Sequence, residues 1–487
     1  MSAPSAAPYL ARLAAAERRL VEHAARPLPA GLTDPDPGAS ERWEAGQVWA
    51  HLAEFPGYWH EQIRNLLAAR AGGAAEPIPF GRGRADPGRI EAIERERRTD
   101  PAELLRRVTS QVAEISELLR GLPDGAWAAR GLHPTLGEMT MPAIVERFVV
   151  DHLEEHAAQL DGLELVTIDE IRAAALRIRG VALHTPLLRW DDRTWLKPES
   201  LQPVGAFKMR GAYNAVASLT DAERTRGVVT YSSGNHAQAV ARAARLLGAR
   251  ATIVMPEDAP PVKVEGVRRD GAEIVFAGLS GEERHRVALE LVERDGRVMI
   301  EPYDDRRIIA GQGTCGLEIA EDLPEVTSVL IPVSGGGLSA GIASAIKALA
   351  PSARVIGVEP ELAADARESL ATGEIVRWDG SLTTRTMADG LRVEKLGWLP
   401  FLHLRRFMDE IVTVSEAQMA EAMRQLATRA RLVVEPSGAA GMAAHLSGAA
   451  PQPDGDDHRV IVISGGNVDP VKFAEILAGP TVGQPSG

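Results

Sequence analysis

Lys208 stands in Gln202-Pro-Val-Gly-Ala-Phe-Lys-Met-Arg-Gly211, behind a phenylalanine and between glycines. An amine placed there is open to desolvation, which lowers its pKa and suits Schiff-base chemistry. Alone the segment is a weak signal, because most lysines are solvated. Val333-Ser-Gly-Gly-Gly-Leu338 follows a β-branched run and precedes a helical pattern. Backbone amides in such a turn close around an anion, and the helix dipole adds attraction. Its rivals are a plain strand–helix turn and a dinucleotide loop. The Gly-x-Gly-x-x-Gly order is not matched cleanly, and no acidic residue ends the next strand in a ribose-binding place. Tyr231-Ser-Ser-Gly-Asn-His236 marks a second strand-to-helix junction. Its hydroxyls, amide, imidazole and backbone donors can grip a carboxylate, although Ser and Asn are also ordinary cap residues. Far from these segments, His152 and His156 are four apart and share a helix face, while His51 lies on another helical stretch. Three imidazoles from two helices can bind zinc, nickel or iron and leave one position open for water. Read blandly, they are ordinary polar histidines, with His60 and His133 as nearby alternatives.

The elements that must position these groups fall into two textures. Up to about residue 165, apolar residues recur at helical spacing over 10–25, 45–69, 101–119 and 141–160. Four such helices suit an up-and-down bundle. Thr167 and Glu170 then form a capping box that opens a new helix. From there β-branched runs at 227–231, 251–255, 273–276, 328–333, 354–358 and 459–463 alternate with helical patterns. Continuous apolar strands between helices imply a parallel sheet covered on both faces. About 320 residues of this texture suffice for two α/β lobes with a cleft. The domains expected are therefore 1–165, 166–478 and a flexible tail over 479–487.

Of the 487 residues, 45% are hydrophobic and 25% charged, the mix of a globular protein. A net charge of −13 without a basic stretch argues against a nucleic-acid partner. Cys315 is the one cysteine, so no intrachain disulfide can form. No signal-like start and no long uncharged apolar run is present, so a cytoplasmic protein without a membrane span is expected.

Six segments occur together in order: 205–211, 232–236, 310–314, 334–338, 435–438 and 464–469. From about Thr167 to about Leu477 the chain thereby resembles the threonine/serine dehydratase and serine racemase family, of pyridoxal-phosphate fold type II. The resemblance implies that Lys208 carries the cofactor, with Phe207 and Asn235 flanking its ring and Asn235 near its phenolic oxygen. Ser334, Gly335, Gly336, Gly337 and Leu338 would cradle the phosphate, and Ser464 would face the pyridine nitrogen. Ser232, Ser233, Asn235 and His236 would hold the substrate carboxylate. A neutral hydroxyl at the ring nitrogen makes the ring a weaker electron sink, which suits elimination or racemisation. Val204 and Ala206 depart from the Thr and Ser of many relatives, removing one hydroxyl contact. The resemblance also places a divalent cation at Glu359, Ala363 and Asp365, where hard oxygen ligands suit magnesium or calcium. Residues 8–163 resemble the DinB-like bundles, which include mycothiol-dependent isomerases. This points to a transition metal on His51, His152 and His156 and to a thiol transferase or a structural module.

The function expected is elimination of water from a small hydroxy-amino acid such as L-threonine or L-serine. Lys208 removes the Cα proton, the β-hydroxyl leaves, and hydrolysis gives a 2-oxo acid and ammonia. A serine-type racemase, with Ser233 reprotonating Cα from the opposite face, is the alternative. Valine at position 393, ending Asp389-Gly-Leu-Arg-Val393, leans towards the dehydratase. A non-catalytic cofactor-binding module is the reading from another class, and Lys208, Ser233 and Ser464 speak against it. The partners expected are a small-molecule amino acid and further copies of the chain in a homo-oligomer.

Overall fold

In the computed structural model, residues 6–29, 32–33, 42–83, 86–232, 234–257, 259, 261–278 and 280–479 are described. The flexible tail expected from the sequence lies, from residue 480 on, outside them. The chain forms two compact units, Met1–Glu164 and Leu165–Gly487.

The first unit is built on the helices Ala7–Ala24, Ala45–Ala71, Pro101–Arg120 and His152–Glu164. Their apolar stripes meet in one core that includes Leu13, Leu20, Trp49, Ile63, Leu104, Ile115, Leu153 and Leu160. The last helix is entered through a helical turn at Met141–Val145 and a π-helical stretch, Glu146–Asp151. A π-bulge shifts the side-chain register and is frequent at functional sites. The sequence periodicity did not reveal a fifth helix, Pro87–Glu96, or a three-stranded sheet of Ile78–Pro79, Arg130–His133 and Gly137–Thr140.

The second unit contains two sheets. In the larger, Glu410–Val414, Arg354–Pro360, Ser328–Pro332, Arg459–Ile463 and Thr194–Pro198 run parallel in that order, and Leu188–Arg189 closes the edge antiparallel. The smaller has the order Glu273–Phe276, Ala251–Met255, Val228–Tyr231 and Val298–Met299, all parallel. The central strands Ser328–Pro332, Arg459–Ile463 and Ala251–Met255 are buried at every position, as helices on both faces require. In such sheets ligands bind beyond the carboxyl ends of the strands. The glycine turn, Ser464 and the Tyr231–His236 junction all lie there, directly after strands. No helix among the described residues is long and apolar enough to cross a membrane.

Candidate active site

The helix Lys208–Ala217 begins directly after Phe207. Ala206 forms a β-bridge with Gly465, and the Phe207 amide donates to the Ser464 carbonyl at 3.1 Å. Arg210, buried in the same helix, donates to both Glu199 oxygens at 2.7 and 2.8 Å and to both Glu318 oxygens at 2.6 and 2.8 Å. A paired guanidinium of this kind holds the helix in place. The Lys208 amine donates to the Pro302 carbonyl at 2.7 Å. The side chain is partly accessible, yet its amine is enclosed, and desolvation brings its pKa down to about 8. About a tenth of the amine is therefore neutral at pH 7 and available as nucleophile or base.

Pro302 leads into Tyr303, which packs on the glycine turn. A Cβ on Gly335 would lie 2.4 Å from the Tyr303 ring, and one on Gly337 would lie 3.0 Å from its backbone. Gly336 has a φ of +90° and caps the helix Gly337–Leu349. Ser334 Oγ is buried without a hydrogen-bond partner among the described residues, and Leu338 is buried in the first helical turn. One Pro302–Tyr303 step thus joins the Lys208 amine to the glycine turn.

Asn235 opens the helix Asn235–Leu246. Its Nδ2 donates to Glu435 Oε1 at 2.8 Å, and its Oδ1 accepts from Asn467 Nδ2 at 2.8 Å. Ser232 Oγ accepts from the Gly234 amide at 3.3 Å. Ser233 lies outside the described residues. The His236 ring is turned into the core, with Nε2 at 3.1 Å from the Ile300 carbonyl. Burial, and then the Lys208 charge, hold its pKa down to about 3, so the ring is neutral. Ser464 is buried at the end of its strand.

Glu359 is fully buried, and its oxygens accept from the Ala366 and Arg367 amides at 3.1 and 2.8 Å. Asp365 is 1% exposed, with Oδ2 unpartnered among the described residues. Ala363 lies in the turn between them, its amide bonded to the Pro360 carbonyl at 2.9 Å. Desolvation, reinforced by Asp365, pushes Glu359 well above the carboxylate range, and desolvation takes Asp365 to about 7.

In the first unit His51, His152 and His156 each bring one ring nitrogen to within 4.8 Å of the others. His51 Nδ1 and His152 Nε2 are buried without a hydrogen-bond partner among the described residues, while His156 Nδ1 sits 2.7 Å from Gln159 Oε1. Phe55 stacks on His152 and Trp43 on His156. Desolvation, then the neighbouring charges led by His156, hold the His51 and His152 pKa values well below the usual imidazole range. His133 faces the Arg82 carbonyl and His60 faces Glu114, so neither joins the three.

Residues 178–465 match the model of the pyridoxal-phosphate dependent enzymes. The chain belongs to that family. This pyridoxal-phosphate-dependent enzyme is 42% identical over 314 residues to the L-threonine ammonia-lyase of Thermotoga maritima, covering 63% of this chain and 76% of that protein. It is 40% identical over 329 residues to a serine racemase of Oryza sativa subsp. indica, covering 66% and 94%. Among solved structures, a serine racemase of maize superposes with a TM-score of 0.60 at 38% identity, covering 64% of this chain and 96% of that one. Residues 12–160 of the enzyme match the DinB superfamily, so a DinB-like bundle is fused ahead of the catalytic fold.

The sequence reading gave no role to Tyr303, Arg210, Glu435 or Asn467. The last three lie inside quoted segments, 205–211, 435–438 and 464–469, so the signal was present without its partner.

Proposed function

We propose that Lys208 holds pyridoxal phosphate and that the enzyme eliminates water from a small β-hydroxy amino acid, such as L-threonine or L-serine, to yield a 2-oxo acid and ammonia. The observation that carries this is the enclosed Lys208 amine, joined through Pro302–Tyr303 to a glycine turn at a helix start. The residues fit the cofactor. Ser334 Oγ lacks a partner among the described residues, the turn admits no Cβ at Gly335, and its amides suit a phosphate. Phe207 and Asn235 would flank the ring, and Ser464 would face its nitrogen. When bound, the cofactor supplies an electron-withdrawing ring that makes the Cα proton of an attached amino acid acidic.

This chain's residues do the rest. Lys208 Nζ, with a pKa of about 8, accepts the Cα proton. Ser232, Ser233 and the amides at the start of the Asn235–Leu246 helix hold the substrate carboxylate, with the backbone of His236 among them. The likeness to serine racemases supports a second activity, in which Ser233 returns a proton to the opposite face of Cα. Glu359, Asp365 and the Ala363 carbonyl would hold magnesium or calcium, since two buried carboxylates with raised pKa values favour a cation. His51, His152 and His156 would hold zinc, nickel or iron. A homo-oligomer is proposed as the working form.

Purified enzyme should be incubated with L-serine, L-threonine and L-threo-3-hydroxyaspartate, scoring keto acid and D-isomer together. Keto acid should predominate, and Lys208→Ala should lose turnover by about 10³-fold, the scale of removing a general base. Lys208→Ala should also lose the borohydride-fixable link to the cofactor. A variant still fixed at full occupancy would overturn the assignment of Lys208. D-isomer in excess of keto acid would make the enzyme a racemase.

A further inference from the structure

A chain of hydrogen bonds runs from the loop before Lys208 across three other segments, and one end fixes its direction. The Val204 carbonyl can only accept. Asn467 must therefore turn its amide nitrogen towards it, and Nδ2 donates there at 2.7 Å. The second Nδ2 hydrogen goes to Asn235 Oδ1 at 2.8 Å. Asn235 must then present its own Nδ2 to Glu435 Oε1, also at 2.8 Å. An amide that could otherwise sit either way round has one orientation. Its nitrogen has two hydrogens, and one is not committed to any partner among the described residues.

Two glycines keep room for this chain. A Cβ on Gly205, whose φ is +71°, would lie 2.4 Å from Asn467 Oδ1. A Cβ on Gly465 would lie 2.3 Å from Glu435 Oε1 and 3.2 Å from Asn235 Nδ2. Both glycines flank groups already placed at the site, Phe207–Lys208 and Ser464. Glu435 is buried, and its carboxyl is pushed up to about 8 by desolvation and then by Asp389. It is mostly neutral near pH 7, so it accepts from Asn235 without placing a full negative charge beside the site.

We propose that Asn467 and Glu435 are positioning residues that lock the Asn235 amide with one N–H free for an oxygen acceptor. Resting on the cofactor reading above, that acceptor is the ring oxygen of pyridoxal phosphate. Each positioning residue acts through its bond to Asn235. The decisive substitution is Asn467→Asp, which keeps the shape and removes the donor. It would invert the chain, because Asn235 would have to turn its Nδ2 towards the new carboxylate. Asn467→Ala removes the same bonds without forcing the inversion. A role in packing alone would make alanine the more damaging change; a role in polarity makes aspartate so.

The test uses full-length protein, with three readouts: the visible absorbance band of bound pyridoxal phosphate, its dissociation constant by dialysis, and the melting temperature of the cofactor-free form. Asn467→Asp should shift the band and weaken binding by about tenfold, the factor for one lost hydrogen bond. Asn467→Ala should do less, and Glu435→Gln, which keeps an acceptor, should retain the parental band. If Asn467→Asp is unstable, Glu435→Ala against Glu435→Gln decides: the alanine variant should shift the band and the glutamine variant should not. Parental band and affinity in Asn467→Asp, with both lost in Asn235→Ala, would overturn the positioning role and leave the cofactor reading standing. A silent Asn235→Ala would overturn the ring-oxygen contact and this proposal together, while the Lys208→Ala result would still report on the cofactor by itself.

Discussion

Glu359 and Asp365 illustrate how burial raises the proton affinity of a carboxylate. Desolvation raises both pKa values, and the second carboxylate adds to the effect at Glu359. The folded chain therefore binds protons at these positions more readily than the unfolded chain. Below the ordinary Asp value of 3.8 both states are protonated, and folding is indifferent to these groups. Between 3.8 and about 7 only the folded state keeps the Asp365 proton, so stability falls as pH rises through that window. A divalent cation bound at these carboxylates would replace the proton and remove the cost. Magnesium should thus raise the melting temperature of the chelator-treated protein more at pH 8 than at pH 5. At a hundredfold excess over its dissociation constant the gain should be about 2.7 kcal/mol. The Glu359→Gln/Asp365→Asn protein should show neither the pH slope nor the magnesium response. Equal responses at both pH values, or a response that survives the double substitution, would remove the cation from this position.

At the scale of elements, the site depends on how strands end. The turn after Ser328–Pro332 needs Gly336 at a φ of +90°, and a Cβ there would lie 2.6 Å from the Pro400 side chain. Gly336→Ala meets both strain and a clash, and should cost about 1–3 kcal/mol of stability. Cofactor affinity should fall as well, because the turn's amides must move. Calorimetry of the cofactor-free variant together with a dialysis titration checks both, and unchanged affinity would show that the turn does not hold the phosphate. The central strands were legible because their apolar runs are unbroken. Thr194–Pro198 was missed because it carries Lys197, buried here beside Glu318 at 2.6 Å, the Thr185 carbonyl at 2.6 Å and Asp322 at 3.8 Å. No local pattern announces so distant a partner. Glu410–Val414 and Val298–Met299 are sheet edges, with weak alternation. Pro87–Glu96 was missed because Arg89, Glu91, Glu94, Arg95 and Glu96 crowd out its two isoleucines. The candidate site was legible as ordered segments around Lys208. The partnership of Asn235, Glu435 and Asn467 was not, because only the fold brings Asn235 together with residues 200 and 232 positions away.

At the scale of the whole molecule, the two units have separate hydrophobic cores. One lies wholly within Leu13–Leu163, and the others begin at Val166. The Thr167–Glu170 capping box starts the second unit with its own helix cap. Residues 1–165 should therefore fold alone, without an exposed cut core, and carry the three histidines intact. Those histidines make the unit's stability depend on pH in the sense opposite to the carboxylates. His51 and His152 are held neutral by burial, so as pH falls below 6.5 the unfolded chain takes up protons that the folded unit refuses. The metal-free fragment should lose stability between about pH 7 and pH 5. Neutral imidazole is also the form a metal needs, so zinc, nickel or iron should stabilise the fragment at pH 7.5 and be released as protons compete. Elemental analysis of the purified fragment should give one metal per chain, and His152→Ala/His156→Ala should abolish both the metal and the rise in melting temperature. Metal content well below one per chain after incubation with all three ions, or metal content unchanged by the double substitution, would leave the trio as a buried aromatic contact between two helices. Loss of metal with the fold retained would separate ligation from packing, since the aromatic neighbours Trp43 and Phe55 remain to fill the core.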